Sequence, residues 1–168
     1  MALPKPRRLF ALDQNFPEPI VDCLSSNIVH SELIPIRRVR DDWPKLDDWK
    51  LLLKLHNHER RWDGLVTNDD KLLALPKEMT VLSQTSLTLV VVKSQGHNPI
   101  RATGLLLSHI DHVCYHTTPN EEQIWVLGVT QKQPESAFDR LERIARNENK
   151  TVQQIVAAFS VPASDLRR

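Results

Sequence analysis

Residues 7–17 read RRLFALDQNFP. An apolar run, Leu9 to Leu12, stops abruptly at Asp13, and Asn15 and Pro17 follow before an amphipathic stretch. This is the pattern of a buried parallel strand that hands one carboxylate to the end of its sheet. Ligands of open α/β sheets gather at that end. Two further acidic pairs, Asp47-Asp48 and Asp69-Asp70, stand where the same edge would receive them.

Working outward from a strand over Arg8 to Asp13, Pro17 and Pro19 suit the first turn of a helix whose apolar face is Ile20, Val21 and Leu24. Glu32 to Val39 reads as a second strand, with Pro35 marking an edge or irregular position. A loop over Asp41 to Leu46 leads to a helix capped by Asp47 or Asp48. It carries Trp49, Leu52, Leu53 and Leu55 and ends near Glu59-Arg60. Gly64 to Thr67 is a short strand running into Asn68-Asp69-Asp70, and Leu72 to Pro76 is a short helical turn. Ser86 to Lys93 (SLTLVVVK) is apolar enough for a central strand. A turn over Ser94 to Pro99, a helix over Ile100 to Ile110 and a strand over Gln123 to Val129 complete the alternation.

Strands alternating with helices predict a three-layer α/β/α sandwich around a central, mostly parallel sheet, plus a C-terminal helical tail. Thr130 to Glu135 reads as a linker, so the expected organisation is a domain over residues 1–131 and a tail over 132–168. In the tail Phe138, Leu141, Ile144 and Ala145 share one helical face, and Thr151 caps a second stretch carrying Ile155 and Phe159. Faces this short are not stable alone. They are expected to dock on the domain, on a second copy in a homodimer, or on a partner protein.

The formal charge of +1 over 168 residues supplies no global attraction to nucleic acid, so any such binding needs a local basic face. Cys23 and Cys114 lie far apart and read as reduced thiols rather than a disulfide framework. The start, MALPKPRR, lacks the apolar core of a signal peptide, and no apolar run approaches a membrane span. The expectation is a cytoplasmic protein with no membrane partner.

In a parallel sheet Asp13 and Asp69 both follow their strands, and the helix that begins at Asp47-Asp48 starts at the same edge. Singly, each acid has a plain structural explanation as an Asx-turn, a helix cap or a solvated turn. Together they repel one another and must be protonated or bind cations. Hard oxygen donors select Mg²⁺ or Mn²⁺.

These residues resemble PIN-like nucleases, in the branch of VapC-like toxin ribonucleases. There the first strand ends in Asp-x-Asn with a nearby Pro, as in Asp13, Asn15 and Pro17. A helix begins with Asp and an aliphatic residue three positions on, as in Asp48 and Leu51. The third strand ends in Thr-x-Asp, as in Thr67-Asn68-Asp69. The resemblance runs from Arg8 to Val129 and implies a Mg²⁺- or Mn²⁺-dependent endoribonuclease, the toxin of a toxin–antitoxin pair. It would have an RNA substrate and a cognate antitoxin. Asp13, Asp48 and Asp69 would be the catalytic metal ligands, with Asp47 and Asp70 as alternates. The chain departs from the pattern at Lys71, where a second Asp is common, with Asp70 one place early. No clear fourth acid follows, and Asn98 is the candidate for that place.

Asn15 and Thr67 are expected to support the acids, and His97, Asn98 and Arg101 to hold a phosphate. Arg37, Arg38, Arg40, Arg60 and Arg61 are candidates for a basic rim, and Trp43 and Trp49 for base stacking, with core packing the stronger reading for Trp49. His109, His112, His116 and Cys114 lack a second ligand cluster for zinc. Two competing readings remain: an inactive PIN-like module that binds RNA or protein, and a receiver-like phospho-acceptor using Asp69 and Lys93.

Overall fold

The structure is a computed structural model and describes residues 7–93, 98–128 and 133–167. Five strands, β1 (Arg8–Leu12), β2 (Ser31–Pro35), β3 (Gly64–Thr67), β4 (Thr88–Val92) and β5 (Gln123–Leu127), form one sheet in the order β2-β1-β3-β4-β5. Every pairing is parallel. Gly64 pairs with both Phe10 and Thr88. A Cβ built on it would lie 1.8 Å from the Thr88 carbonyl oxygen, so only glycine fits there.

Period-two alternation sends neighbouring side chains to opposite faces, and both faces are covered. Phe10, Leu12, Val66, Val90, Val92 and Trp125 pack on one face against Val21 of α1 (Glu18–Leu24) and Ala102, Leu106, Ile110 and Val113 of α5 (Pro99–His116). Leu9, Ala11, Leu65, Leu89, Val91 and Ile124 pack on the other. That face is covered by α3 (Asp48–His56), α4 (Pro76–Ser83), α6 (Ala137–Asn147) and α7 (Val152–Phe159). The three-layer α/β/α sandwich follows directly, with the sheet wholly parallel.

The steps β1→β2 and β4→β5 run in opposite directions across the sheet, yet α1 and α5 cover the same face. The β4–α5–β5 crossover therefore has the opposite hand to the other three, a rare exception to the uniform hand of such units.

Local differences from the sequence reading have physical causes. The second strand stops at Pro35, and Ile36–Val39 forms a single helical turn, α2, that buries Ile36. Pro35 ends an edge strand, where a residue without an N–H is tolerated. Helix α3 ends at His56 rather than near Glu59-Arg60, and α5 runs on to His116. Helix α4 is absent from the sequence reading. Glu78, Met79, Thr80, Val81 and Leu82 are all buried in it, because the sheet, α3 and the tail surround it. Its polar residues Glu78 and Thr80 are buried beside its apolar ones, so polarity does not mark a solvent face and the period is masked.

In the tail, Ala137, Leu141, Ile144 and Ala145 form the buried stripe of α6, whereas Phe138 is 50% exposed, one position off that face. Both tail helices have capping boxes, Ser136 with Asp139 and Thr151 with Gln154. They pack on α4, and the Gln84 side chain clasps the Val161 backbone at 3.0 and 3.1 Å. Glu135 bridges antiparallel to Ile124. The side chain of Leu24 and the remainder of the expected linker, 130–132, lie outside the described residues. Among the described residues no helix is long and apolar enough to cross a membrane.

Candidate functional site at the carboxyl edge of the sheet

The chain first steps from β1 to β2, then returns across β1 to β3 and continues to β5. The strand order reverses between β1 and β3, and this is the crevice that open α/β sheets use for ligands. Asp13 and Thr67 stand at the two strand ends that flank it. The ladder carries on to Asp13, whose N–H donates to the Val66 carbonyl at 2.9 Å.

The Asp13 carboxylate is held from three sides. Its Oδ1 accepts from the Gln14 N–H at 2.7 Å. Its Oδ2 accepts from Asn15 Nδ2 at 3.0 Å and from Thr67 Oγ1 at 2.9 Å. Thr67 Oγ1 in turn accepts the Asp69 N–H at 3.1 Å, and Asp69 Oδ1 accepts the Lys71 N–H at 3.0 Å, capping a 3-10 turn over Asp70–Ala74. Thr67 is buried, Asp13 half-buried and Asp69 exposed. Asp70 opens the 3-10 turn and Lys71 is exposed beside it.

Asp47 and Asp48 begin α3, and they behave differently. Asp47 is exposed and pairs with Lys50 Nζ at 2.7 Å. Asp48 is half-buried, and its carboxyl is pushed up to about 6. Burial is the largest cause, followed by the negative charges of Asp13, Asp69, Glu78 and Asp47 in that order. Acids from three other elements thus act on Asp48, which is the member of its pair that faces them.

Glu78, in the first turn of α4, is the acid that the sequence reading missed. It is buried, and its carboxyl is raised above the ordinary range by burial, opposed by a backbone hydrogen bond and reinforced by Asp47. One signal in the sequence does point to it: Pro76 with an acid two positions on is a helix start.

The other expected residues are dispersed. Asn98 is exposed, and its Oδ1 accepts the Arg101 N–H at 3.0 Å as the cap of α5. The Arg101 side chain is exposed, and His97 lies outside the described residues. The basic rim divides. Arg37 and Arg38 follow β2 but pair with Glu18 and Asp22, while Arg60 and Arg61 precede β3 at the other edge. Trp43 is buried edge-on against His58, so it offers no face for a base. Trp49 is half-buried against the core, with Lys77 Nζ 4.5 Å above its ring. His112 and His116 stack at 4.2 Å, but Cys114 points into the core, where burial pushes its thiol up to about 12. Lys93 is exposed just beyond β4.

Beside Asp13 lies an open groove of about 340 Å³, lined by Gln14, Asn15, Phe16, Pro17, Arg37 and Pro99 among others. The donor set of Asp13, Asp48, Asp69 and Glu78 consists of hard oxygens, and a divalent cation would relieve the repulsion that raises Asp48. As the side chains stand, no group of three or more His, Cys, Asp or Glu among the described residues is placed to hold a metal ion. No protein-family model matches the chain, and neither a curated protein nor a solved structure matches it significantly.

Proposed function

We propose that this chain is a Mg²⁺- or Mn²⁺-dependent ribonuclease whose ion is held by Asp13, Asp48 and Asp69, with Glu78 as the fourth carboxylate. One observation carries the reading: the Asp48 carboxyl is raised by burial together with the charges of Asp13, Asp69 and Glu78, at the point where the strand order reverses. Groups desolvated and set against like charges in a cleft are where function concentrates. A divalent ion bound there would polarise a phosphodiester and lower the pKa of a water. The protein's own part is orientation. Thr67 and Asn15 hold one oxygen of Asp13, and the Gln14 N–H holds the other. The open groove beside Asp13 is lined by Gln14 and Asn15, the residues that hydrogen-bond its carboxylate, together with Arg37 and Glu18. The choice of RNA, and of a toxin–antitoxin role, rests on the resemblance of the Asp13, Asp48 and Thr67-Asn68-Asp69 motifs to PIN-like nucleases.

The test is cleavage of end-labelled single-stranded RNA with Mn²⁺ or Mg²⁺, by the intact chain and by Asp13→Ala. Cleavage that stops with a chelator and with the substitution supports the reading, and cleavage unchanged by Asp13→Ala overturns it.

A second reading is a module of the same fold that binds without cutting. It is favoured by the engagement of both Asp13 oxygens in hydrogen bonds within the protein. If Mn²⁺ at micromolar to millimolar levels neither binds nor raises the melting temperature, this second reading holds.

A further inference from the structure

The opposite, amino-terminal edge of the sheet holds a cavity of about 420 Å³, separate from the acids and outside the reading above. Arg7 and Arg8 reach it from the start of β1, Arg61 and Asp63 from the approach to β3, and Thr117 and Asn120 from the loop before β5. Three guanidinium groups against one carboxylate leave a net positive charge.

Arg7 and Arg61 differ from four other surface arginines. Arg37, Arg38, Arg40 and Arg60 are each neutralised by a carboxylate. Arg7 is instead held by neutral carbonyls, its Nε donating to Ser31 O at 2.6 Å and its Nη2 to Ile28 O at 3.3 Å. Arg61 Nη2 donates to Asn120 Oδ1, and Asn120 sits in the left-handed region at φ 64°. Asn tolerates that backbone better than most residues, so the turn can present its amide to Arg61. Arg8 is 12% exposed and stands behind them, bonded to Cys114 O, Thr117 O and Asp63. Carbonyl and amide acceptors fix a guanidinium in place without cancelling its charge. Each guanidinium carries five N–H donors, and the bonds above use two on Arg7 and one on Arg61. The remaining donors form the planar fork that matches phosphate oxygens.

A bare phosphate would leave most of such a volume empty, whereas the volume suits a small organic ligand. We propose that this cavity binds the phosphate group of a small phosphate monoester of nucleoside monophosphate size. Arg7 and Arg61 grip the phosphate, and Arg8, paired with Asp63, forms the wall beside them.

The test uses the intact chain at constant ionic strength, because exposed charges are screened by salt. Inorganic phosphate, adenosine 5′-monophosphate and adenosine are titrated by calorimetry, and the Thr117 and Asn120 amide resonances are followed by NMR. The monophosphate should bind more tightly than inorganic phosphate, adenosine should not bind, and both amides should shift. Arg7→Gln combined with Arg61→Gln should weaken binding by about tenfold or more, since charge-assisted bonds are lost. Absence of binding, equal binding of adenosine, or unmoved amides in the intact chain would each overturn the proposal without recourse to a variant. So would undiminished affinity in a double variant that circular dichroism shows to be folded. Neither site residue belongs to the acid cluster, so the result is independent of whether the chain cleaves RNA.

Discussion

Thr67 Oγ1 donates to Asp13 Oδ2 at 2.9 Å and accepts the Asp69 N–H at 3.1 Å, so one buried hydroxyl joins the two strand-end acids across the β1–β3 step. Neighbouring strands in a sheet lie about 4.8 Å apart, a distance one hydroxyl can bridge. Thr67→Val keeps the shape and removes both bonds. It should cost about 1–2 kcal/mol, the usual penalty for polar partners left unpaired. On the proposed function, RNA cleavage should also fall about tenfold as Asp13 loses its orientation. Thr67→Ser should restore most of both. Thermal melts and single-turnover cleavage measure these, and a valine variant with full activity would remove Thr67 from the site.

The electrostatics of Asp48 predict a pH-dependent gain. Its folded pKa, about 6, lies above the ordinary 3.8. Such a carboxyl contributes stability below the unfolded value, and that contribution is lost as pH rises through the folded one. With divalent ions chelated, Asp48→Asn should therefore stabilise the protein by about 1 kcal/mol near neutral pH, after discounting for solvent screening, and have little effect below about pH 4. The melting temperature should rise by about 2–4 °C on the alkaline side alone. Glu78→Gln removes one of the charges acting on Asp48 and should lower the midpoint of this transition. Melts across the pH range decide both, and a gain of equal size at acid and neutral pH would contradict the coupling.

Gly64 packs its α-carbon against the Thr88 carbonyl, where a methyl group would lie 1.8 Å from the oxygen and 3.1 Å from the Phe10 ring. Backbone cannot yield as a flexible side-chain end can. Gly64→Ala should therefore cost at least about 2 kcal/mol by forcing β3 and β4 apart. It should also disturb Thr67 at the far end of the same short strand. Denaturant unfolding gives the energy, and a variant as stable as the parent would mean that β3 is placed differently.

Leu141 of α6 is fully buried in the core that also contains Met79 and Leu82 of α4. Leu141→Ala should cost about 2–5 kcal/mol, as for other core leucines. The loss should appear in a single cooperative unfolding transition, because the tail and the sheet share this core. A separate early transition for the tail, seen by hydrogen exchange at α6 and α7, would show that the tail unfolds independently.

Much of the fold was legible because burial selects apolar residues and element ends select polar ones. The apolar runs at Leu9–Leu12 and Leu87–Val92 announced strands buried on both faces, and the halt at Asp13 announced a strand end. Local chemistry also marked the tail helices, since Ser136 and Thr151 cap them through their own side chains. Two of the departures share a cause. Helix α4 buries Glu78 and Thr80 beside its apolar residues, and the β2 pattern runs without a break into the α2 turn, so neither left a clear periodic signature.

The sequence by itself determined which residues are strand-like, where acids punctuate them, and that a sandwich of alternating elements would result. Those are properties of neighbours along the chain. Tertiary structure alone decided the order β2-β1-β3-β4-β5, the arrival of Glu78 beside Asp48, and the division of the arginines between two edges. Each depends on residues tens of positions apart meeting through packing, and no local period encodes which distant surfaces meet.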